Sequence, residues 1–539
     1  MGVLPHWLLP LPDAETMRSI DRWAIEERGV PGLDLMERAG TGVARAVERL
    51  AGASPATVVC GKGNNGGDGL VAARLLREAG RHVVVVCVAP PEGFTGDARV
   101  NLDRLPGDRP VRLDGTAWDG ERHDADSVAA PLTGTVVVVD ALLGTGFEGE
   151  PRGEVADAIQ AINDLGAPVV SVDVPSGVDA STGVVAGRAV RATVTVTFHA
   201  AKPGLWIHPG KAHAGELETI DIGIPRGAPA EAAMGLIEPA VLRLLPARRP
   251  GSTKFSSGHV LVVGGSRGLT GAPRMAAHAS MRAGAGYVTA FIPASLQATI
   301  AGASTPELMT RGLPDSDGSL DTDGVTDVLE AGTRGALALG PGLGRRERAV
   351  SFARSLAREA KIPMVLDADG LNAHAGHLSD LSRRTAATVL TPHAGELGRL
   401  LQLDSAAIER ERLRHVRDAA AQSQAVVVLK GDDTLVADPS GRVAVSPGGA
   451  HGLATAGTGD VLTGVIGAVL AQGLDAFSAA AAAVWLHVQA GREAARRVGG
   501  AEGVIATDVI AALPAARRAH AGERIARDGR AHGEGHGER

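Results

Sequence analysis

Near the C-terminal end of this 539-residue chain, Gly452-Leu453-Ala454-Thr455-Ala456-Gly457-Thr458-Gly459-Asp460 runs directly into Val461, Leu462, Val465, Ile466, Val469 and Leu470. Apolar residues at this spacing predict an amphipathic helix opened by Asp460, whose first N–H groups have no intrahelical partner. The small residues ahead of it let those amides approach an anion, and the helix dipole adds positive charge at the same point. A carboxylate placed there suits a base beside a bound phosphate, with simple helix capping as the other reading. A second cradle is Gly61-Lys62-Gly63-Asn64-Asn65-Gly66-Gly67-Asp68-Gly69, between a strand predicted at Thr57–Cys60 and a helix predicted at Leu70–Glu78. It suits phosphate, although it is neither a Walker loop nor a strict dinucleotide fingerprint. Asp140, Asp173 and Lys202 stand at the ends of further Val-rich runs, and Asn65, Asp140 and Ser176 offer hard oxygens suited to a cation without redox chemistry. Any one such Asp could be a turn or cap residue; several strand ends carrying polar groups together point to a site.

These residues need a scaffold that brings strand ends together. Helical periodicity covers Ala14 to about Ala51, and strands are predicted at His82–Val88, Thr135–Asp140, Val169–Asp173 and Thr193–Phe198. Continuous Val-rich strands separated by helices imply a parallel sheet covered on both faces, with ligands gathering at the carboxyl ends of its strands. Breakers between Ile224 and Lys254 mark an interdomain linker, with the boundary placed near Arg226 to Glu238. The second half repeats the α/β pattern: His259–Val263 leads into Gly264–Pro273, Ala336–Leu339 into Gly340–Gly344, and Met364–Leu366 into Asp367-Ala368-Asp369. Val389-Leu390 leads into Thr391–Glu396 and Ala425–Leu429 into Lys430–Thr434, while a helical tail follows Asp460 to about Arg497. From Arg517 the composition cannot bury a core and a disordered tail is expected.

Composition excludes several classes. Lys plus Arg total 54 against 61 Asp plus Glu, and aromatic residues make up 2% of the chain, so neither a basic footprint nor stacking platforms for nucleic acid are present. The longest apolar run, Ala479–Leu486, is too short to span a bilayer, and Met1–Pro12 has no basic region of the secretory type. Cys60 and Cys87 read as buried thiols in a reducing compartment. A cytoplasmic protein without membrane or nucleic-acid partners is expected.

Asn64 to Asp68, Asp140 through Gly146, Asp173 through Gly177, Thr391 through Glu396 and Ala456 through Asp460, taken together, resemble the bifunctional NAD(P)H-hydrate repair enzymes over about Ala14 to Ala516. The resemblance implies an α/β chain with a Rossmann-like epimerase domain at 1–228, a ribokinase-like dehydratase domain at 229–516 and a tail at 517–539. It implies epimerisation of R- and S-NADHX and NADPHX, the hydrated cofactors, and dehydration of the S form at the expense of ADP, with ATP as the alternative. In the first domain, the resemblance places Asn64, Asn65, Gly66, Gly67 and Asp68 on the dinucleotide phosphates, covered by Gly144, Thr145, Gly146, Phe147, Glu148, Gly149 and Glu150. Asn65, Asp140 and Ser176 match the family's potassium ligands and Asp173 its substrate-binding carboxylate, here also the first choice for proton transfer, with Lys202 second. In the second domain it places Lys430, Gly431, Asp432, Asp433, Thr434 and Gly459 around the nucleotide, Ala272, Gly342, His393 and Asp460 around the hydrate, and Mg²⁺ across the phosphates. Asp460 is the general base, and a homo-oligomer is expected. The stretch Ser446–Leu453 departs from the family's Asn-Pro-Gly-Met, which bears on nucleotide preference. A ribokinase-like small-molecule kinase fused to a non-catalytic binding domain is the competing reading.

Overall fold

The structure is a computed structural model and describes residues 4–113, 132, 134–229 and 231–519; of the expected tail, 520–539 lies outside the described residues. Two compact units divide between Gly235 and Leu236, with Pro5–Leu9 joining the second.

In the first unit, strand Ala56–Cys60 is flanked on one side by Val83–Cys87 and then Val111–Arg112. On the other side lie Val137–Ala141, Val169–Val172, Val194–Phe198 and Glu216–Ile220, all parallel. Neighbouring valines feed opposite faces: Val58 and Val139 join one buried cluster, Val59 and Val138 the other. Both faces are thus covered, as the unbroken Val runs predict. The strand order reverses between Ala56–Cys60 and Val137–Ala141, and the crevice at such a switch point is where ligands bind in open α/β sheets. Cys60 and Cys87 are register partners on adjacent strands, fully buried and unlinked.

Two local expectations need correction. The helix predicted from Leu70 begins at Asn64 and runs to Glu78, so six of the nine residues of the glycine-rich loop, Asn64–Gly69, are its first turns. Gly61 and Gly66 permit this: a Cβ on Gly66 would lie 1.8 Å from the Gly61 carbonyl oxygen, so the chain folds back on itself as only glycine allows. The helical stretch Ala14–Ala51 is interrupted; Ala14–Arg22 passes into a π turn, Trp23–Glu27, before a new helix, Gly32–Ala51.

In the second unit the strands Val443–Val445, Leu435–Ala437, Val426–Leu429, Thr388–Leu390, Met364–Leu366, Ala336–Leu339, His259–Val263, Tyr287–Pro293 and Met309–Leu313 lie side by side in that order. They are parallel from Val426–Leu429 onward, and the first two pairings are antiparallel. The helix carrying Asp460, Thr458–Ala471, is buried all round rather than amphipathic. Its small residues explain this: a Cβ on Gly464 would stand 2.1 Å from the Ala276 carbonyl oxygen, so the helix Gly271–Arg282 packs backbone against backbone there. The expected long tail after Asp460 is two helices, Thr458–Ala471 and Ala476–Val498, the second capped by Asp475. A last helix, Ala506–Ala519, reaches beyond Arg517, whose guanidinium donates to the Ala283 carbonyl at 2.5 Å.

Candidate functional site

A cavity of about 1150 Å³ opens at the switch point of the first unit. Its wall includes Asn64, Asn65 and Asp68 from the first turns of their helix, Gly144 to Phe147 from the loop after Val137–Ala141, and Asp173 and Lys202. Asp68 and Asp173 are each 8% exposed, and Lys202 is 1% exposed. Asp173 ends its strand in a left-handed conformation, φ 66°, which aims its carboxylate across the sheet edge. Lys202 Nζ donates to its Oδ1 at 2.5 Å, Thr197 Oγ1 to the same oxygen at 3.2 Å, and Thr145 Oγ1 to Oδ2. Burial alone would raise this carboxyl, but the Lys202 charge and these hydrogen bonds outweigh it and hold it below the usual carboxylate range. Burial drives Asp68 the other way, well above that range, helped by the negative charges of Asp173 and Asp21. The surroundings therefore favour the anion of one carboxyl and the neutral form of the other.

Asp140 lies beneath this cavity, fully buried. Ser176 Oγ donates to it at 2.5 Å, Ser171 Oγ at 2.8 Å and the Ser176 amide at 2.9 Å. None of the described residues gives it a cationic partner, and burial raises its pKa despite these hydrogen bonds. Asn65 brings its side-chain oxygen against Gly144, where a Cβ would meet it at 2.8 Å, while its Nδ2 is buried with no partner among the described residues. A buried anion among hydroxyl, amide and carbonyl oxygens fits a large monovalent cation. Glu148, Gly149 and Glu150 are not among the residues lining the cavity, whereas Gly144, Thr145, Gly146 and Phe147 are.

The second unit gathers a different cluster. Asp460 sits at the third position of its helix, which Gly457 opens at φ 90° without a side-chain cap, so Asp460 does not serve as the cap. Thr458 Oγ1 pins the preceding loop, donating to the carbonyls of Leu453 at 2.7 Å and Thr455 at 2.8 Å. Burial raises the Asp460 carboxyl to about 7, with Asp367, Asp369 and Glu396 adding and Lys430 opposing. Lys430 Nζ lies 3.1 Å from Asp367 Oδ1 and 3.6 Å from Glu396 Oε2, and a Cβ on Gly459 would stand 3.6 Å from it. Thr463 Oγ1 donates to the other oxygen of Asp367 at 2.6 Å. His393 caps the helix Ala394–Leu401 through a reciprocal pair with Glu396, leaving its ring largely exposed. Ala272 and Gly342 meet, a Cβ on Gly342 falling 3.1 Å from the Ala272 methyl.

Among the residues expected around the nucleotide, Asp432 accepts from the Gly449 amide at 2.9 Å and so ties down the divergent Ser446–Leu453 stretch. Asp433 turns inward instead: its carboxylate and the Arg412 guanidinium form a buried pair at 3.0 Å. Thr434 Oγ1 closes the turn by donating to the Gly431 carbonyl at 2.7 Å. Among the described residues no group of three or more His, Cys, Asp or Glu could hold a metal, and no helix is long and apolar enough to cross a membrane.

Sequence reasoning passed over Asp21, Asp367 and Asp369 as site residues. Asp367 and Asp369 flank Ala368, held at φ 49°, and this strain next to two carboxylates is invisible in the sequence. Asp21 had a legible signal: it lies one residue from Ile20 and four from Met17, on the buried stripe of its helix.

Fold and sites together define a two-unit α/β enzyme, each unit carrying a carboxylate site at the carboxyl ends of the strands of a largely parallel sheet. The chain belongs to the family of bifunctional NAD(P)H-hydrate repair enzymes. The family model described as NAD(P)H-hydrate dehydratase matches residues 260–515, and that of the YjeF-related protein N-terminus matches 32–204. The bifunctional NAD(P)H-hydrate repair enzyme Nnr of Moorella thermoacetica is 42% identical, covering 94% of this chain and 96% of its own. The Salinibacter ruber protein of the same name is 42% identical, over 94% of this chain and 95% of that one. A crystal structure of the ADP/ATP-dependent NAD(P)H-hydrate dehydratase from Bacillus subtilis, co-crystallised with ATP/Mg²⁺, is 29% identical over 52% of this chain and 96% of its own, with a TM-score of 0.44.

Proposed function

We propose that the first unit interconverts the R and S hydrates of NADH and NADPH and that the second dehydrates the S form, consuming ADP. Asp460 carries the reading: a carboxylate with a pKa of about 7, in the first turn of a buried helix and beside Lys430. Such a group is a poised general base at neutral pH. It deprotonates the ring hydroxyl, whose oxygen takes the terminal phosphoryl group of ADP and releases AMP. Phosphate then leaves with the carbon–oxygen electron pair and a ring proton is lost, restoring the dihydronicotinamide. Amides of Ala456 to Gly459 and the Lys430 ammonium face the charge that builds on the transferred group. Ala272, Gly342 and His393 border the hydrate, and Lys430 to Thr434 hold the nucleotide, Asp433 acting by bracing the loop through Arg412. Mg²⁺ bound with the nucleotide would neutralise phosphate charge, and among the described residues no group of three or more His, Cys, Asp or Glu could hold it.

In the first unit, the amides of Asn64 to Asp68 and the loop from Gly144 receive the dinucleotide phosphates. Asp173, kept ionised by Lys202, stabilises the planar, iminium-like state through which the hydroxyl-bearing carbon inverts. Asn65, Asp140 and Ser176 would hold potassium, whose charge would offset that of the buried Asp140 carboxylate. Dehydration of S-NADHX with ADP, followed as the absorbance of reduced nicotinamide, tests the proposal. Asp460→Asn should lose it by roughly 10²- to 10⁴-fold, and a wild-type chain inert with both ADP and ATP would refute it.

A further inference from the structure

We propose that Asp21 is an acid–base residue of the epimerisation, exchanging a proton with the hydroxyl on the hydrated ring carbon. The proposal rests on the epimerase reading of the first unit. Asp21 stands on helix Ala14–Arg22, two residues before the π turn Trp23–Glu27, on the side that buries Met17 and Ile20. Packing would fill that position with an apolar side chain; instead a carboxylate lines the same cavity as Asp68, Asp173 and Lys202. Among the described residues its carboxylate forms no hydrogen bond, whereas Asp173 is engaged by Lys202, Thr145 and Thr197. π turns recur at functional sites because they re-aim side chains that a regular helix would stack elsewhere.

The reaction requires such a group. As the carbon–oxygen bond breaks, the ring-nitrogen lone pair forms a carbon–nitrogen double bond. The oxygen leaves with the bonding pair and takes a proton to become water. Water then adds to the opposite face, the double bond returns its electrons to nitrogen, and the proton goes back to the group that supplied it. Nothing is oxidised or reduced and no co-reactant is consumed. Asp173 is held as an anion by its salt bridge, so it stabilises the cationic ring and holds no proton to donate. Asp68 is nearly buried, and that burial favours its neutral form. Asp21 is partly exposed and can re-equilibrate with water. Burial raises it to about 6, with Lys202 opposing and Asp173 adding, so both protonation states are populated near neutral pH. The other charged groups lining the cavity are Arg18 on its own helix, Lys62, Asp68, Asp97, Arg112, Arg152, Glu154, Asp173 and Lys202.

The test follows conversion of R- to S-NADHX by chromatography in the absence of nucleotide, on the full chain, with dehydration of the S form measured on the same preparations. Asp21→Asn should slow epimerisation at least about 100-fold, leave KM and S-hydrate dehydration within about twofold of wild type, and remove the pH dependence near 6. Asp21→Glu should recover part of the rate. An Asp21→Asn chain that epimerises within about threefold of wild type, or whose loss lies wholly in KM, would overturn the assignment. A wild-type chain that dehydrates but does not epimerise would instead remove the epimerase reading on which the assignment stands.

Discussion

Asp460 and Asp173 start from the same chemistry and end with opposite shifts because their nearest partners differ. Asp460 has burial and three carboxylates against one ammonium; Asp173 has Lys202 in direct contact. Since the base acts in its ionised form and titrates at about 7, dehydration should rise with pH through about 7 and level off above. In Lys430→Gln the opposing positive charge is gone, so the limb should move to higher pH, as a kcat profile at saturating nucleotide would reveal. Lys202→Met should strand Asp173 as a buried, unpaired carboxylate and destabilise the first unit by about 3–5 kcal/mol, read as the loss of its thermal transition. Asp460, Asp173 and the strand-end residues were legible because glycines and strand patterns surround them. Asp21 was not chosen although its place on the buried stripe of its helix was legible, because that place alone names no ligand until the cavity is seen. Asp433 was placed at the ligand by resemblance, and only the structure reveals that Arg412 draws it inward.

At the scale of elements, the strands expected from Val-rich runs lie within a residue or two of those observed, whereas Glu216–Ile220, Met309–Leu313, Leu435–Ala437 and Val443–Val445 were not expected and helix starts were read late. Glycines in Asn64–Gly69 argue for a loop by propensity, yet they are what let the helix begin against Gly61 and bring its first amides to the cavity. The Asp460 helix was misread as amphipathic for a related reason: Gly464, Gly467 and Ala468 look like a polar-side gap but admit neighbouring backbone. Gly464→Ala should therefore drive a methyl into the Ala276 carbonyl and lower the stability of the second unit, with dehydration failing at a lower temperature while epimerisation persists. Ala368→Gly should do the reverse. Its backbone sits at φ 49° and ψ −120°, and relief of that strain should stabilise the second unit by about 1–3 kcal/mol in denaturant titrations.

Across the whole molecule, two units with separate cores carry separate sites, so each activity should be removable without the other. The division of labour has a consequence in the mixture of hydrates: dehydration accepts only one epimer, and the first unit must resupply it. The most direct test is the return of NADH from an R and S mixture of NADHX with ADP and Mg²⁺, comparing wild type, Asp173→Ala and Asp460→Asn. Complete return by wild type, a halt at exhaustion of the S epimer for Asp173→Ala and no return for Asp460→Asn are the expected results. Full return by Asp460→Asn, or a wild-type chain that stops when the S epimer is spent, would contradict it.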